Sequence, residues 1–121
     1  MTNYPDIRAM TASTTNIGQA AEKRVAELLN NEGYQILTQN WRTKVCEIDL
    51  VAKKQKVVYF VEVKYRSSEH QGGGFEYITS KKLKQLHFAA EVWNQQNGWN
   101  GDYQLLAAAV SDERIEIVEL D

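Results

Sequence analysis

Asp49, Glu62 and Lys64 stand inside the stretch CEIDLVAKKQKVVYFVEVKYR, residues 46–66, whose two apolar runs read as strands. Side chains two apart in a strand share a face. Glu62 and Lys64 therefore point the same way as Val58 and Phe60, while Val57, Tyr59, Val61 and Val63 point the other way. Two apolar faces describe a central strand covered on both sides, where a Glu and a Lys are costly unless paired or used. A hairpin closing around the polar turn KKQ pairs Asp49 near Phe60 and makes Glu62 its diagonal neighbour on the same face. Two carboxylates repelling each other in a low-dielectric pocket favour a divalent cation, and hard oxygen ligands with room for water suit Mg²⁺ or Mn²⁺. Lys64 beside them could orient or deprotonate a water, or balance charge at a phosphorus undergoing substitution. That chemistry is phosphodiester hydrolysis. The competing reading is an ion pair of Lys64 with Glu62 or Asp49 at a strand end, since Glu-x-Lys alone has no specificity.

Two helices must bring further groups to this sheet end. The first is expected from Asn16, which forms a capping box with Gln19, to about Asn31, where Gly33 stops it; Ile17, Ala21, Val25, Leu28 and Leu29 repeat at helical spacing. Glu22 projects at the margin of that stripe, with the small Gly18 one turn earlier, so its carboxylate could reach the sheet end or equally snorkel to water. The second helix, capped by Thr79 or Ser80, carries Leu83, Leu86, Ala90 and Trp93 on one stripe and ends before Asn97-Gly98. Lys82 projects into that stripe, whereas Lys81 and Lys84 project out, which suits Lys82 to a phosphate near the carboxylates or to simple solvation.

Strands are expected at residues 34–40, 46–52, 56–64 and 103–110, with an alternating edge strand at residues 114–120. The loop SSEHQGGGFEY has glycines that permit unusual backbone angles but lacks the Lys-Ser/Thr ending of a phosphate-binding loop. The order α-β-β-β-α-β-β describes one α/β domain, a mixed sheet flanked by helices, over residues 16–121, preceded by a flexible polar tail at residues 1–15. A single cysteine, Cys46, excludes an internal disulfide and a multi-cysteine zinc site, and fits a reducing, cytoplasmic setting. No apolar run approaches a membrane span, and the N-terminus lacks the apolar centre of a secretory signal. Net charge is −2, yet ten of the fourteen basic residues lie between Arg42 and Lys84 against five acids. Such a basic middle suits a nucleic-acid partner, or merely solubilises turns and a helix face. Trp93 and Trp99, near a Gly-Asn-rich turn, are the alternative focus, as a protein-contact surface.

These residues resemble the PD-(D/E)XK nuclease superfamily, and more closely the YraN family of small predicted endonucleases related to archaeal-type Holliday junction resolvases. The resemblance spans residues 16–110. AEKRVAELLNNEGYQILTQNWR resembles the family's Gly-Glu helix, Gly-Tyr turn and Asn-x-Arg segment, with Glu22, Gly33, Tyr34, Asn40 and Arg42 at matching places. EIDLVA resembles its Gly-Glu-Ile-Asp-Leu motif, FVEVKYR its Phe-Val-Glu-Val-Lys-x-Arg motif, and Lys82 its lysine at the start of the second helix. The resemblance implies a restriction-endonuclease-like three-layer α-β-α fold. It also implies a metal-dependent nuclease acting on DNA, with branched or single-stranded forms among the candidate substrates; a non-cutting nucleic-acid-binding module is the alternative. Asp49, Glu62 and the Val63 carbonyl would bind Mg²⁺ or Mn²⁺, Lys64 would be catalytic, and Glu22 would complete the acidic set. Arg42, Lys44, Arg66 and Lys82 would contact nucleic acid. Junction-resolving relatives act as dimers, which makes a homodimer an expectation. Cys46 and Ala21 stand where the family has Gly, and the aromatic or basic residue expected before Asp102 is missing, but every proposed ligand is present.

Overall fold

The computed structural model describes residues 5–67 and 74–121, with side chains from residue 16 onward. The outer part of the polar tail, residues 1–4, and the loop residues 68–73, which include Gly72 and Gly73, lie outside the described residues. The elements run α1 (Pro5–Asn31), β1 (Gln35–Arg42), β2 (Glu47–Lys54), β3 (Val57–Tyr65), α2 (Ser80–Gln96), β4 (Asp102–Val110) and β5 (Ile115–Leu120). The expected order and α/β class are thus what the chain adopts.

The first helix starts at Pro5, not at the Asn16 cap. Pro is pre-set for a first helical turn, and the Asp-Ile-Arg-Ala-Met run after it contains good helix formers, so the chain coils well before the capping signal. Two other details of this helix differ from expectation. Ile17 is 46% exposed, leaving Ala21, Val25, Ala26 and Leu29 as the buried stripe. A Cβ at Gly18 would meet nothing within 4 Å, so its smallness serves no close approach. The helix ends as expected: Gly33 adopts φ 95°, and the Tyr34 N–H reaches back to the Leu29 carbonyl at 3.0 Å.

The five strands form one sheet in sequence order, β1-β2-β3-β4-β5. All neighbours are antiparallel except β3 and β4, which are parallel. A parallel neighbour demands a crossover, and α2 supplies it. Thr79 caps α2 by accepting from the Lys82 N–H at 3.1 Å. The α1 stripe packs with Leu50, Val61, Leu106, Ala108 and Val110 on one face of the sheet. On the other, Leu86, Ala89, Ala90 and Trp93 of α2 pack with Val51, Val58, Phe60 and Leu105. Each fully buried Leu or Val in these layers contributes about 1.5–3 kcal/mol. The result is three layers, α-β-α, with β3 at the centre.

The hairpin turns at Gln55-Lys56, one step beyond the expected KKQ centre, because Gln55 takes the left-handed φ of 56° that closes a two-residue loop. The ladder runs Lys54↔Val57 to Leu50↔Val61. Continued by one step, Asp49 stands opposite Glu62 rather than diagonal to it.

Candidate active site

Three backbone features converge at Asp49. The β2–β3 ladder stops at Leu50↔Val61. On the other side, Gln39↔Leu50 and Trp41↔Ile48 leave Asn40 facing Asp49, and Asn40 has φ 55°, a conformation Asn tolerates better than most residues. Ile48 and Leu50, two apart, pack into opposite layers, Leu50 with α1 and Ile48 with α2. Strict alternation therefore breaks at Asp49. The Val63 N–H, one residue past Glu62, donates instead to Asp49 Oδ2 at 2.8 Å. A side-chain oxygen thus replaces a ladder partner and fixes the carboxylate at the strand end.

Glu22 descends from α1 onto the same spot. Its Oε1 is buried with no hydrogen-bond partner among the described residues. Its pKa rises to about 7, chiefly through burial and then through the charge of Asp49, with Asn40 hydrogen bonding pulling the other way. Asp49 is raised too, by burial first, while the Val63 N–H holds it down. Glu22 is the carboxyl that keeps the proton, donating it toward the Asp49 carboxylate.

Glu62 is likewise raised by burial and by Asp49, opposed by Lys82. The Lys82 Nζ lies 3.2 Å from Glu62 Oε2, which gives Glu62 a partner other than the Lys64 of the competing strand-end ion pair. Lys64 is exposed at the other rim, its Nζ 5.8 Å from the centre of the Tyr77 ring. The structure therefore brings Glu22, Asp49, Glu62 and Lys82 together around the start of the β2–β3 fork, with Lys64 one pleat outward.

Two residues here escaped the sequence reading as site groups. Asn40 was legible only as a family match, although an Asn in the middle of a strand pattern is itself a signal of irregular backbone. Tyr77, in the loop before α2, has a buried hydroxyl without a partner among the described residues. Burial drives its pKa far up, Glu62 and Asp49 add to this, and Arg66 opposes it. Tyr77 therefore stays neutral within the field of the carboxylates, and no residue spacing announces it. Arg66 Nε is buried and unpartnered in the same sense, while the Arg66 backbone N–H bonds Val110 at 2.8 Å.

Arg42 pairs with Glu47 at 3.5 Å on the surface, a contact worth at most ~1 kcal/mol. Lys44 is exposed in the turn between β1 and β2. Trp93 is 6% exposed, and Trp99 packs against the α2-side core and donates to the Asp102 carbonyl. Both tryptophans thus serve their own domain.

Among the described residues no three acidic, His or Cys side chains converge into a ready-made metal cluster. The donor set nonetheless suits Mg²⁺, which is commonly held by one or two carboxylates with water completing its shell. Burial raises Glu22, Asp49 and Glu62 alike, and the Asp49 charge raises Glu22 and Glu62 further, which marks a pocket where added positive charge is welcome.

The profile of the uncharacterised protein family UPF0102 matches residues 21–120. A UPF0102 protein of Pseudomonas putida strain KT2440 is 42% identical over 92 residues, covering 76% of this chain and 74% of the relative. One of Vibrio parahaemolyticus is 36% identical over 107 residues, covering 87% and 88%, and one of Campylobacter jejuni is 28% identical over 102 residues, covering 84% and 89%. Every residue of the site, from Glu22 to Lys82, falls inside the matched span, and the chain belongs to the UPF0102, or YraN, family.

Proposed function

We propose that the protein is a metal-dependent endonuclease that hydrolyses phosphodiester bonds in DNA. The observation that carries this reading is the meeting of Asp49 and Glu62 across the open end of the β2–β3 hairpin, with a buried unsatisfied Glu22 oxygen beside them. Asp49, Glu62 and the Val63 carbonyl would hold Mg²⁺ or Mn²⁺, which supplies Lewis-acid polarisation of the scissile phosphate and a lowered pKa for attacking water. In support, the Val63 N–H fixes the Asp49 carboxylate at the strand end. Glu22 gives up its proton as positive charge enters the pocket and then orients water from the α1 side. Lys64, at the rim, neutralises charge on the phosphate or positions the nucleophilic water. Lys82 tethers Glu62 and can exchange that tether for a phosphate oxygen. Arg42, Lys44 and Arg66 lie in the basic middle of the chain and would contact the DNA backbone.

The test is incubation of purified protein with Mg²⁺ or Mn²⁺ and a panel of duplex, flap, single-stranded and four-way-junction DNA. Cleavage is expected, and Asp49→Ala or Glu62→Ala should lower it by about 100-fold or more while the far-UV circular dichroism is unchanged. Cleavage indifferent to both substitutions would remove the reading. The Lys82–Glu62 ion pair favours a second one, a binding module in which the acidic cluster is structural. It expects DNA binding that Asp49→Ala leaves intact and no turnover with either metal. Within the described residues no helix is long and apolar enough to cross a membrane. A cytoplasmic setting and a homodimer belong to the proposal, the latter checked by analytical ultracentrifugation.

A further inference from the structure

Beside the carboxylates the surface opens into a groove of about 470 Å³, walled on one side by the turn before β2 and on the other by the outward face of α2. Its lining includes Val45, Glu47, Lys81, Lys84, Gln85 and Phe88. At 100° per residue Lys81, Lys84, Gln85 and Phe88 fall on one helical face. Phe88 is 49% exposed and Val45 is 73% exposed, the two most exposed large apolar side chains among the described residues. Val45 is held rigidly out: Thr43 Oγ1 accepts from the Val45 and Cys46 N–H groups, each at 3.1 Å. Lys82 lines the groove's inner end and contacts Glu62 at 3.2 Å, so groove and carboxylates form one continuous surface.

We propose that this groove is a binding track for single-stranded DNA, which seats a base on the Phe88 ring against Val45 while Lys81 and Lys84 hold the flanking phosphates. The inference rests on the nuclease reading for its direction, since the track leads to the carboxylates, but not for its chemistry. Three features select this occupant. Its volume falls in the ~300–1,000 Å³ range of small-ligand sites, the scale of a nucleotide and not of a double helix. Lysines flanking one exposed aromatic ring are the combination that binds single strands: the cations follow the backbone, and the ring stacks on any base face. A duplex hides its base faces in the stack, so it would leave Phe88 and Val45 unused. Glu47 is the only acid in the lining, against Lys81, Lys82 and Lys84. The groove would thus choose the unpaired strand at a fray, flap or junction and deliver its neighbouring phosphate to Asp49 and Glu62.

The experiment is fluorescence anisotropy of a labelled oligothymidylate and of a duplex of equal length, at low salt in EDTA so that no cleavage contributes. Wild type should prefer the single strand. Phe88→Ala should weaken that binding about tenfold or more and leave duplex binding unchanged, whereas Phe88→Trp should retain it. Joint Lys81→Gln and Lys84→Gln substitution should flatten the dependence of log affinity on log salt by about 1.4. Phe88 is exposed, so thermal melts of these variants should match wild type. The proposal is overturned if Phe88→Ala binds the single strand as wild type does, or if wild type prefers duplex. It is also overturned if a polyglutamate peptide displaces the strand equally well from wild type and Phe88→Ala. Cleavage in Mn²⁺ is scored separately: if Phe88→Ala loses the strand and wild type cuts nothing, only the nuclease reading fails. If wild type cuts and Phe88→Ala binds normally, only the groove fails.

Discussion

Glu22 keeps its proton up to about pH 7 because burial and the neighbouring Asp49 both disfavour its charge. In the unfolded chain the same group titrates near 4.5. Between those values the folded state holds a proton that the unfolded state has released. The folded state is therefore least penalised below about pH 4.5 and loses stability as pH rises toward 7. Asp49 and Glu62 are shifted the same way and add to the slope. Glu22→Gln removes the largest part of it. In urea titrations with EDTA, the variant should match wild type at about pH 5 and exceed it by on the order of 1 kcal/mol at about pH 8, after allowance for solvent screening. Parallel pH profiles for the two proteins would show that Glu22 is not the group holding the proton. Such a slope is what the proposed cation site would show, and an ordinary strand-end ion pair would lack it.

At the scale of elements, the hairpin register decides whether the carboxylates meet. Its two-residue turn requires Gln55 at φ 56°, a conformation that costs a residue with a Cβ about 1–2 kcal/mol. Gln55→Gly removes that strain at a smaller entropic cost and should raise stability by up to ~1 kcal/mol, read as a higher melting temperature with the same single transition. A fall of similar size would mean that the Gln55 side chain contributes more than its backbone loses. This turn also marks where sequence reading ran short. Strand and helix identities follow from short continuous β-branched and aromatic runs and from period-3.6 apolar patterns, and these were plain in VVYFVEVK and in the stripe of Leu86, Ala90 and Trp93. Turn register depends on one backbone angle at Gln55, which composition does not encode, so the Asp49–Glu62 pairing was legible only to within one pleat. Asn40 and Tyr77 were harder still. Their roles arise from a left-handed residue opposite Asp49 and from a loop that buries a phenol within the field of Glu62 and Asp49, arrangements between segments far apart in the chain. Helical phase put Lys82 on the sheet-facing stripe, since a position on a stripe survives any choice of loop, but its pairing with Glu62 was not legible.

Across the whole molecule, the site is assembled from all three layers: Glu22 from α1, Asp49 and Glu62 from the sheet, Lys82 from α2. Its geometry holds only while both outer layers stay docked on the shared strands β2, β3 and β4. Each face has its own apolar cluster, yet the residues that build them alternate along the same strands, as Val61 and Phe60 do on β3. Losing one layer exposes one face of the sheet and deprives the other layer of a rigid platform. The chain's three tryptophans offer a direct test, because Trp41, Trp93 and Trp99 all belong to the α2-side cluster. Leu29, 1% exposed on α1, packs only on the opposite face. Leu29→Ala should cost about 2–5 kcal/mol through lost burial and the cavity left behind, below the ~6–18 kcal/mol expected for a domain of this length. Tryptophan fluorescence and far-UV circular dichroism should then move together to a lower urea midpoint with an unchanged slope. If the fluorescence midpoint stays in place while the helical signal shifts, α1 melts as an independent unit. Glu22 would in that case join the sheet-end carboxylates only when α1 is docked, and loss of the α1 layer would abolish the proposed metal binding without unfolding the hairpin that carries Asp49 and Glu62.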